Sequence, residues 1–158
     1  MSKNTQLIIY EVIKPFLLNE NIENYLIGKI NKDYNNRCLD CGFIKKINKL
    51  IIDKNAEVST SDLSGNLKFK ILLDVDLINF NIGDIIECKI TKIDKQLDMI
   101  ISNNIIYKNE INLPFLILII NIKNKNIKID DIVNVEIKAK KVDTLENKLH
   151  FITELVKK

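Results

Sequence analysis

The sequence is poor in the residue types from which most enzyme active sites are built. Its 158 residues include one histidine, three cysteines, four glycines and no tryptophan. A Ser-His-Asp or Cys-His mechanism would have to use His150, and no nucleophile-elbow motif accompanies it. The glycines form no phosphate-binding loop, so no nucleotide or other cofactor is indicated. We therefore expect no catalytic residue, no cofactor and no enzymatic activity of this chain on its own.

The chain also lacks a strong excess of one charge and any long apolar segment. Its net charge is +3, and hydrophobic and charged fractions of 46% and 28% are typical of a folded protein. Residues 1–80 and 81–158 carry net charges of +1 and +2, below those of a dedicated duplex-DNA binder. No signal-peptide pattern opens the sequence, and the most apolar run, residues 115–120, is too short to span a bilayer. We expect a cytosol-like compartment, reduced thiols and no membrane contact.

A strand pattern followed by a helix pattern opens the sequence. Residues 7–12 favour a strand that Pro15 ends. A helix is expected after Asn19 or Asn21, since either asparagine can cap it and apolar residues then recur at helical spacing. The apolar stripe of this helix would consist of Ile22, Leu26, Ile30 and Tyr34.

Strand patterns continue up to about residue 77. Residues 43–52 and 56–63 each favour a strand, and a turn signal follows at Ser64 and Gly65. Residues 67–77 show the cleanest alternation of apolar and polar side chains in the sequence, which is typical of a half-buried strand. We expect a small N-terminal α/β sandwich in which one helix packs on an antiparallel sheet.

Residues 79–84 interrupt the pattern, and we place a domain boundary here, with domains at residues 1–80 and 81–158. Short strand patterns separated by turns fill the second domain, as expected for a small closed sheet such as an OB-type β-barrel. The predicted fold class is therefore α+β and mostly β. The second-domain strands are expected at residues 85–93, 97–102, 105–108, 114–123, 132–142 and 149–156.

The CxxC pair Cys38 and Cys41 allows three interpretations. A structural zinc site needs four ligands, and only Cys88 and His150 could complete the set. A redox pair usually opens a helix after a strand, whereas this pair follows a helix pattern and precedes a strand pattern. The pattern favours two thiols in a turn, with no metal bound.

Two aspartates on the strand pattern at residues 67–77 are a second candidate for cation binding. Asp74 and Asp76 share one face of this strand and could hold a divalent cation there. A solvated strand face is the favoured interpretation, because polar residues alternate with apolar ones along the whole strand.

Lysines and one aromatic residue form a candidate RNA-binding face in the second domain. OB barrels bind single strands with stacking aromatic rings and lysines that follow the phosphate backbone. Tyr107 is the candidate for stacking, and an edge ring packed on the neighbouring domain is the alternative. The candidate RNA-binding residues are Lys89, Lys92, Lys95, Tyr107 and Lys108.

The order of these elements carries a resemblance that covers nearly the whole chain. A helix leads through a short loop into GFI at residues 42–44, and the turn STSDLSGN at 59–66 precedes the long strand at 67–78. The stretch FNIGDI at 80–85 then opens the second domain, and residues 131–155 look like its last hairpin. This pattern resembles the stalk subunit of multisubunit RNA polymerases, the family of the seventh-largest subunit of eukaryotic RNA polymerase II and the archaeal E-prime subunit.

The resemblance implies a non-catalytic subunit of a DNA-directed RNA polymerase whose active site lies in other chains. The N-terminal domain would dock on the large polymerase subunits, and the OB barrel would lie near nascent RNA. A companion stalk subunit occurs in cellular versions, and the sequence does not identify one for this chain. The residues implied in docking are Arg37, Cys38, Cys41, Gly42, Phe43, Ser64 and Gly65.

The size and composition of the chain are similar to those of shortened, viral versions of this subunit. The mass is 18.3 kDa, and isoleucine, asparagine and lysine are abundant, as AT-rich coding would produce. Large cytoplasmic DNA viruses such as poxviruses encode stalk subunits of this kind. A viral version would work in the host cytoplasm and the virion, and a cellular version in the nucleus.

Two other classes of function stay open at this point. A free-standing OB-type factor that binds single-stranded RNA would account for the second domain. A small metalloenzyme or redox protein would use Cys38 and Cys41.

Overall fold

Among the residues that the structure describes, the fold is mostly β, with 58% strand and 12% helix arranged as two curled sheets and one helix. The computed structural model describes residues 2–18, 21–58, 64–97, 99–102, 104–105, 113–122 and 126–156. Within this part of the chain, no helix is long and apolar enough to cross a bilayer. The mostly-β class that the sequence predicts is confirmed.

The chain divides into two compact units. Unit 1 consists of Met1–Arg37 and Ile44–Ile78, and unit 2 of Cys38–Phe43 and Asn79–Lys158. The short segment Cys38–Phe43, which the sequence places in the N-terminal domain, thus belongs to the second unit.

Unit 1 is built on an antiparallel pair of 12-residue strands, and its other strands extend that sheet. The first pair joins Ser2 to Ile78 and the last joins Ile13 to Leu67. The strand order is β1-β5-β3-β2, and β4 pairs with β5. The strands of this sheet are β1 (Ser2–Ile13), β2 (Arg37–Leu39), β3 (Gly42–Ile52), β4 (Glu57–Val58) and β5 (Leu67–Ile78). Residues 38–39 of β2 and 42–43 of β3 belong to the segment that is grouped with unit 2.

The one α-helix of the described residues, α1 (Ile22–Tyr34), follows a short 3-10 turn at Pro15–Leu17. It is amphipathic, and Leu26 and Ile30 are completely buried. Asn21, one of the two N-cap residues that the sequence allows, occupies the N-cap position, but its side chain makes no capping hydrogen bond. Asn36, just beyond the helix, has a φ of 56°, and asparagine tolerates such left-handed backbone better than most residues do.

The helix lies against one face of the unit 1 sheet. A cleft of about 250 Å³ between them is lined by Ile22 and Leu26 from α1 and by Ile52 and Phe69 from the sheet. The alternation predicted for β5 follows from this packing, because every second side chain points to the buried face. The buried residues of β5 at these positions are Phe69, Ile71, Leu73, Val75 and Leu77.

Unit 2 is one curled sheet of seven strand segments in the order β7-β8-β10-β12-β11-β6-β9. Adjacent strands in this sheet pair antiparallel, except β10 and β12, which pair parallel. The strands are β6 (Ile85–Lys89), β7 (Lys92–Asp94), β8 (Met99–Ser102), β9 (Asn104–Ile105), β10 (Phe115–Ile120), β11 (Ile132–Asp143) and β12 (Lys148–Leu155).

Phenylalanine rings form the centre of unit 2. Phe115 contacts Phe151 and Phe80 edge to face, with ring centroids 5.6 and 5.9 Å apart. Phe43, from the short segment Cys38–Phe43, adds a fourth ring at 6.2 Å from Phe115. Edge-to-face pairs at these distances stabilise a core beyond the area they bury. The place of this segment in unit 2 therefore follows from what Phe43 packs against.

Candidate functional site

The CxxC pair lies in the tip of the β2–β3 hairpin, and this tip contacts the turn between β11 and β12. The backbone N–H of Cys38 donates a hydrogen bond of 2.8 Å to Oδ1 of Asn147. The Cys38 thiol lies 3.4 Å from the backbone oxygen of Asn147 and 4.0 Å from that of Pro114. Gly42 closes the hairpin with a φ of 133°, which residues with a Cβ rarely adopt.

Burial keeps the thiols of this chain protonated near neutral pH. Removal from water raises the pKa of Cys38 from 9.0 to about 11, and the pKa of Cys88 equally. It also raises the pKa of Cys41, whose side chain is half-buried. Because the thiolate is the reactive form in redox exchange, these environments do not favour a redox pair.

The residues implied in polymerase docking divide into buried and exposed ones. Cys38, Gly42 and Phe43 are buried, so the side chains of Cys38 and Phe43 are held within unit 2. Cys41 is half-buried. The exposed members are Arg37, Ser64 and Gly65.

The structure does not assemble the four-ligand zinc set of Cys38, Cys41, Cys88 and His150. In the described ranges, no group of metal ligands whose atoms lie within 4.8 Å of one another contains a cysteine. Cys88 points into unit 2, as its position between Ile86 and Ile90 predicts, and is fully buried.

Asp74 and Asp76 lie on the face of β5 away from α1, where both are half-buried. Oδ1 of Asp76 accepts a hydrogen bond of 2.8 Å from the side-chain amide of Asn48. Neither aspartate belongs to a close group of metal ligands in the part of the chain that the structure describes. The arrangement fits a solvated strand face.

Three of the lysines predicted to bind RNA follow one another along β6, β7 and the turn after it. Lys89 is held by Asp130, with Nζ 2.9 Å from Oδ1. Lys92 and Lys95 are exposed, and within the described part of the chain neither forms an ion pair. Tyr107 and Lys108 lie outside the described residues. Among the described residues, the candidate RNA face consists of Lys92 and Lys95, with Lys89 partly neutralised.

Lysines on β11 are engaged locally. Nζ of Lys138 lies 2.8 Å from a carboxylate oxygen of Glu136. Nζ of Lys140 donates a hydrogen bond of 3.4 Å to Oδ1 of Asn79. These contacts are typical of a solvated strand face.

Sequence reasoning missed a group of metal-ligating side chains at the turn between β11 and β12. Ligand atoms of Asp143, Glu146 and His150 all lie within 4.8 Å of one another. Two acidic residues and a histidine around a hairpin turn, at the outward positions of its strands, are the signal that could have identified the group. The sequence did not reveal the group because none of the three residues is unusual when it is considered alone.

The described residues of unit 2 thus offer a lysine-bearing edge and a carboxylate–imidazole cluster, and those of unit 1 a partly exposed sheet face. The two buried thiols, Cys38 and Cys88, are protonated at neutral pH and are weak nucleophiles in that form. No protein-family model and no curated protein gives a significant match to the chain.

Proposed function

We propose that this chain is a non-catalytic stalk subunit of a multisubunit DNA-directed RNA polymerase. The observation that carries the proposal is the strand order of unit 2, preceded by a unit of one helix on a sheet. This combination agrees with the order of motifs that resembles the stalk family. A viral version of the subunit, acting in the cytoplasm and the virion, fits the composition of the chain.

The strand order supports an OB-type barrel for unit 2. Segments β6 and β7 are separated by Ile90 and Thr91 alone and act as one bent strand, which pairs with β11 through β6 and with β8 through β7. Segments β8 and β9 act in the same way as a second strand. Five strands then follow one another in the order 1-2-3-5-4-1, as in a Greek-key barrel of the OB type.

The face of β1 opposite α1 supports a docking role for unit 1. Ile8, Tyr10 and Val12 alternate along this strand and are 54%, 53% and 56% exposed. Nζ of Lys68 lies 4.5 Å from the centre of the Tyr10 ring. Contiguous apolar side chains with this exposure mark contact surfaces on many proteins. We assign this face to contact with the large polymerase subunits.

A role in guiding nascent RNA is the second part of the proposal. Lys92 and Lys95 would contact phosphates as the transcript passes unit 2. Two such contacts give weak binding without sequence preference, and the affinity falls as salt rises.

Affinity purification tests the polymerase assignment. A tagged copy expressed in the cells that produce the protein is expected to recover the large polymerase subunits, and native mass measurement gives their stoichiometry. The variant Ile8→Asp/Val12→Asp is expected to lose them, because it places charge on the proposed contact face. Ile82→Asp is the matched control, since Ile82 is 65% exposed in unit 2.

Two results would reject the proposal. The first is wild-type protein that recovers no polymerase subunit. The second is a monomer that binds single-stranded RNA tightly at physiological salt, which would identify a free-standing RNA-binding factor instead.

A further inference from the structure

The turn between β11 and β12 brings three potential metal ligands together on the outer face of unit 2. Asp143 ends β11, Glu146 lies in the turn, and His150 lies on β12. Asp143 pairs with Lys148 across the hairpin, so His150 is its diagonal neighbour on the same face. One ligand atom from each residue lies within 4.8 Å of the other two. Atoms at these separations can surround a single ion.

The histidine distinguishes this group from an ordinary cluster of surface acids. Nε2 of His150 is buried and has no hydrogen-bond partner within the described structure. A buried polar atom without a partner is energetically unfavourable, because it has lost its hydrogen bonds to water. A cation bound through Nε2 would give the imidazole the partner that this nitrogen lacks.

Asp143 is already oriented by the backbone of the turn. Its Oδ1 accepts hydrogen bonds of 3.0 Å from the N–H groups of Leu145 and Glu146. These bonds hold the carboxylate in place and leave its second oxygen for a ligand. A preorganised carboxylate binds a metal with less loss of side-chain freedom.

Two lysines oppose a cation at this position. Nζ of Lys148 lies 3.1 Å from Oε2 of Glu146, and Lys141 is the direct cross-strand neighbour of His150. Because Lys141, Glu146 and Lys148 are exposed, solvent screens the charges of both lysines, and the ion pair at Glu146 contributes little to stability. The lysines lower the affinity of the site for a cation without blocking it.

We propose that Asp143, Glu146 and His150 bind a zinc ion. Imidazole nitrogen together with carboxylate oxygens suits zinc, and three protein ligands leave a fourth, tetrahedral position for water. Calcium and magnesium prefer an all-oxygen set. The bound ion would join the ends of β11 and β12 across the turn that carries Asn147, the residue that holds the tip of the β2–β3 hairpin.

Calorimetric titration of the full chain with zinc chloride alone tests the proposal. His150→Ala and Glu146→Gln are each expected to weaken zinc binding at least tenfold. Glu146 is an exposed turn residue, so its variant stays folded even if the His150 variant does not. Lys148→Gln is expected to tighten binding about threefold, because it removes the charge that competes for Glu146.

Two controls separate this site from other zinc ligands. Asp94→Asn is the matched turn control, because Oδ1 of Asp94 also accepts hydrogen bonds from the N–H groups two and three residues later. Cys41→Ser removes the cysteine that is not fully buried. Both variants are expected to bind zinc as the wild type does.

The proposal is overturned by any of three results. One is no binding up to millimolar zinc. Another is unchanged affinity of Glu146→Gln. The third is a loss for Asp94→Asn or Cys41→Ser as large as that for Glu146→Gln.

Discussion

The backbone N–H of Cys38 donates a hydrogen bond of 2.8 Å to the side-chain oxygen of Asn147, 109 positions further along the chain. Asn147 itself has a φ of 53°, in the left-handed region that few residues other than glycine and asparagine adopt. One residue therefore shapes the turn between β11 and β12 and also anchors the tip of the β2–β3 hairpin.

Replacing this anchor is expected to destabilise the protein. Asn147→Gly accepts the left-handed φ, so its effect reports the loss of the Asn147 side chain, including the oxygen that faces the N–H of Cys38. We expect the free energy of unfolding to fall by about 1–2 kcal/mol, measured by urea denaturation. Asn147→Asp keeps the acceptor and should lie closer to wild type. Equal stability of the glycine variant and the wild type would contradict the anchoring role.

The buried thiols predict a loss of stability at alkaline pH. The pKa of Cys88 is about 11 in the folded protein against 9.0 for an ordinary thiol, because burial disfavours the thiolate. Between these values the unfolded chain has lost a proton that the folded chain retains, so stability falls as pH rises. The slope from one such thiol is about 1.4 kcal/mol per pH unit.

Urea denaturation at several pH values between 9 and 11 measures this slope, in the pKa interval of Cys88. The free energy of unfolding of Cys88→Val is expected to fall less steeply with pH than that of the wild type. The difference in slope is the contribution of one thiol and does not depend on how stable the variant is at pH 8. Cys38 keeps its own contribution in both proteins, since its pKa is raised in the same way. Identical slopes in the two proteins would show that Cys88 is not shielded from water.

The elements predicted best from sequence are those in which one face is buried along the whole length. The helix stripe of Leu26 and Ile30 and the alternation of β5 appear in the structure because local periodicity alone records which face meets the core. The place of Cys38–Phe43 in unit 2 could not be read in this way. It depends on Phe115 and Asn147, which lie more than 70 positions away in sequence.

The candidate sites were harder to predict than the fold. Sequence spacing drew attention to Cys38 and Cys41, whereas the close ligand group contains Asp143, Glu146 and His150. A CxxC pair is visible in sequence because its members are neighbours. The other group forms only when a hairpin brings the histidine back beside the aspartate, and that depends on strand register.

The ion pair between Lys29 and Glu11 links α1 to β1 and supplies a test of unit 1. Nζ of Lys29 lies 2.7 Å from Oε2 of Glu11, whose exposure is only 8%. The hydrogen bond with Glu11 raises the pKa of Lys29 above its usual range. The ion pair therefore stabilises the folded protein fully at pH values below the ordinary lysine pKa. This stabilisation is lost as the pH rises through the raised pKa of Lys29.

Removing Lys29 alone is expected to cost more than removing both partners. Lys29→Met leaves a nearly buried carboxylate unpaired and should lower the free energy of unfolding by about 1–3 kcal/mol. Lys29→Met/Glu11→Leu should recover most of this loss, because no buried charge remains. Lys32→Met, at an exposed position of α1, is the control. A double variant less stable than Lys29→Met would reject this account.

Salt dependence tests whether Lys92 and Lys95 form the RNA-binding edge of unit 2. Each lysine that contacts a phosphate contributes about 0.7 to the slope of log affinity against log salt for a single strand. Fluorescence anisotropy with a labelled oligouridine at several salt concentrations measures the slope. Lys92→Ala and Lys95→Ala should each flatten it by about 0.7. Lys89→Ala should change it less, because Asp130 already neutralises this lysine.

A lysine in unit 1 provides the comparison that makes this test specific. Lys32 is exposed on α1, and Lys32→Ala removes the same charge from the chain without touching β7 or the turn after it. If net charge alone governed RNA binding, Lys32→Ala would flatten the slope as much as Lys92→Ala does. If Lys92 contacts RNA locally, the salt slope of Lys92→Ala must be flatter than that of Lys32→Ala. Equal slopes would show that Lys92 and Lys95 do not form an RNA-binding edge.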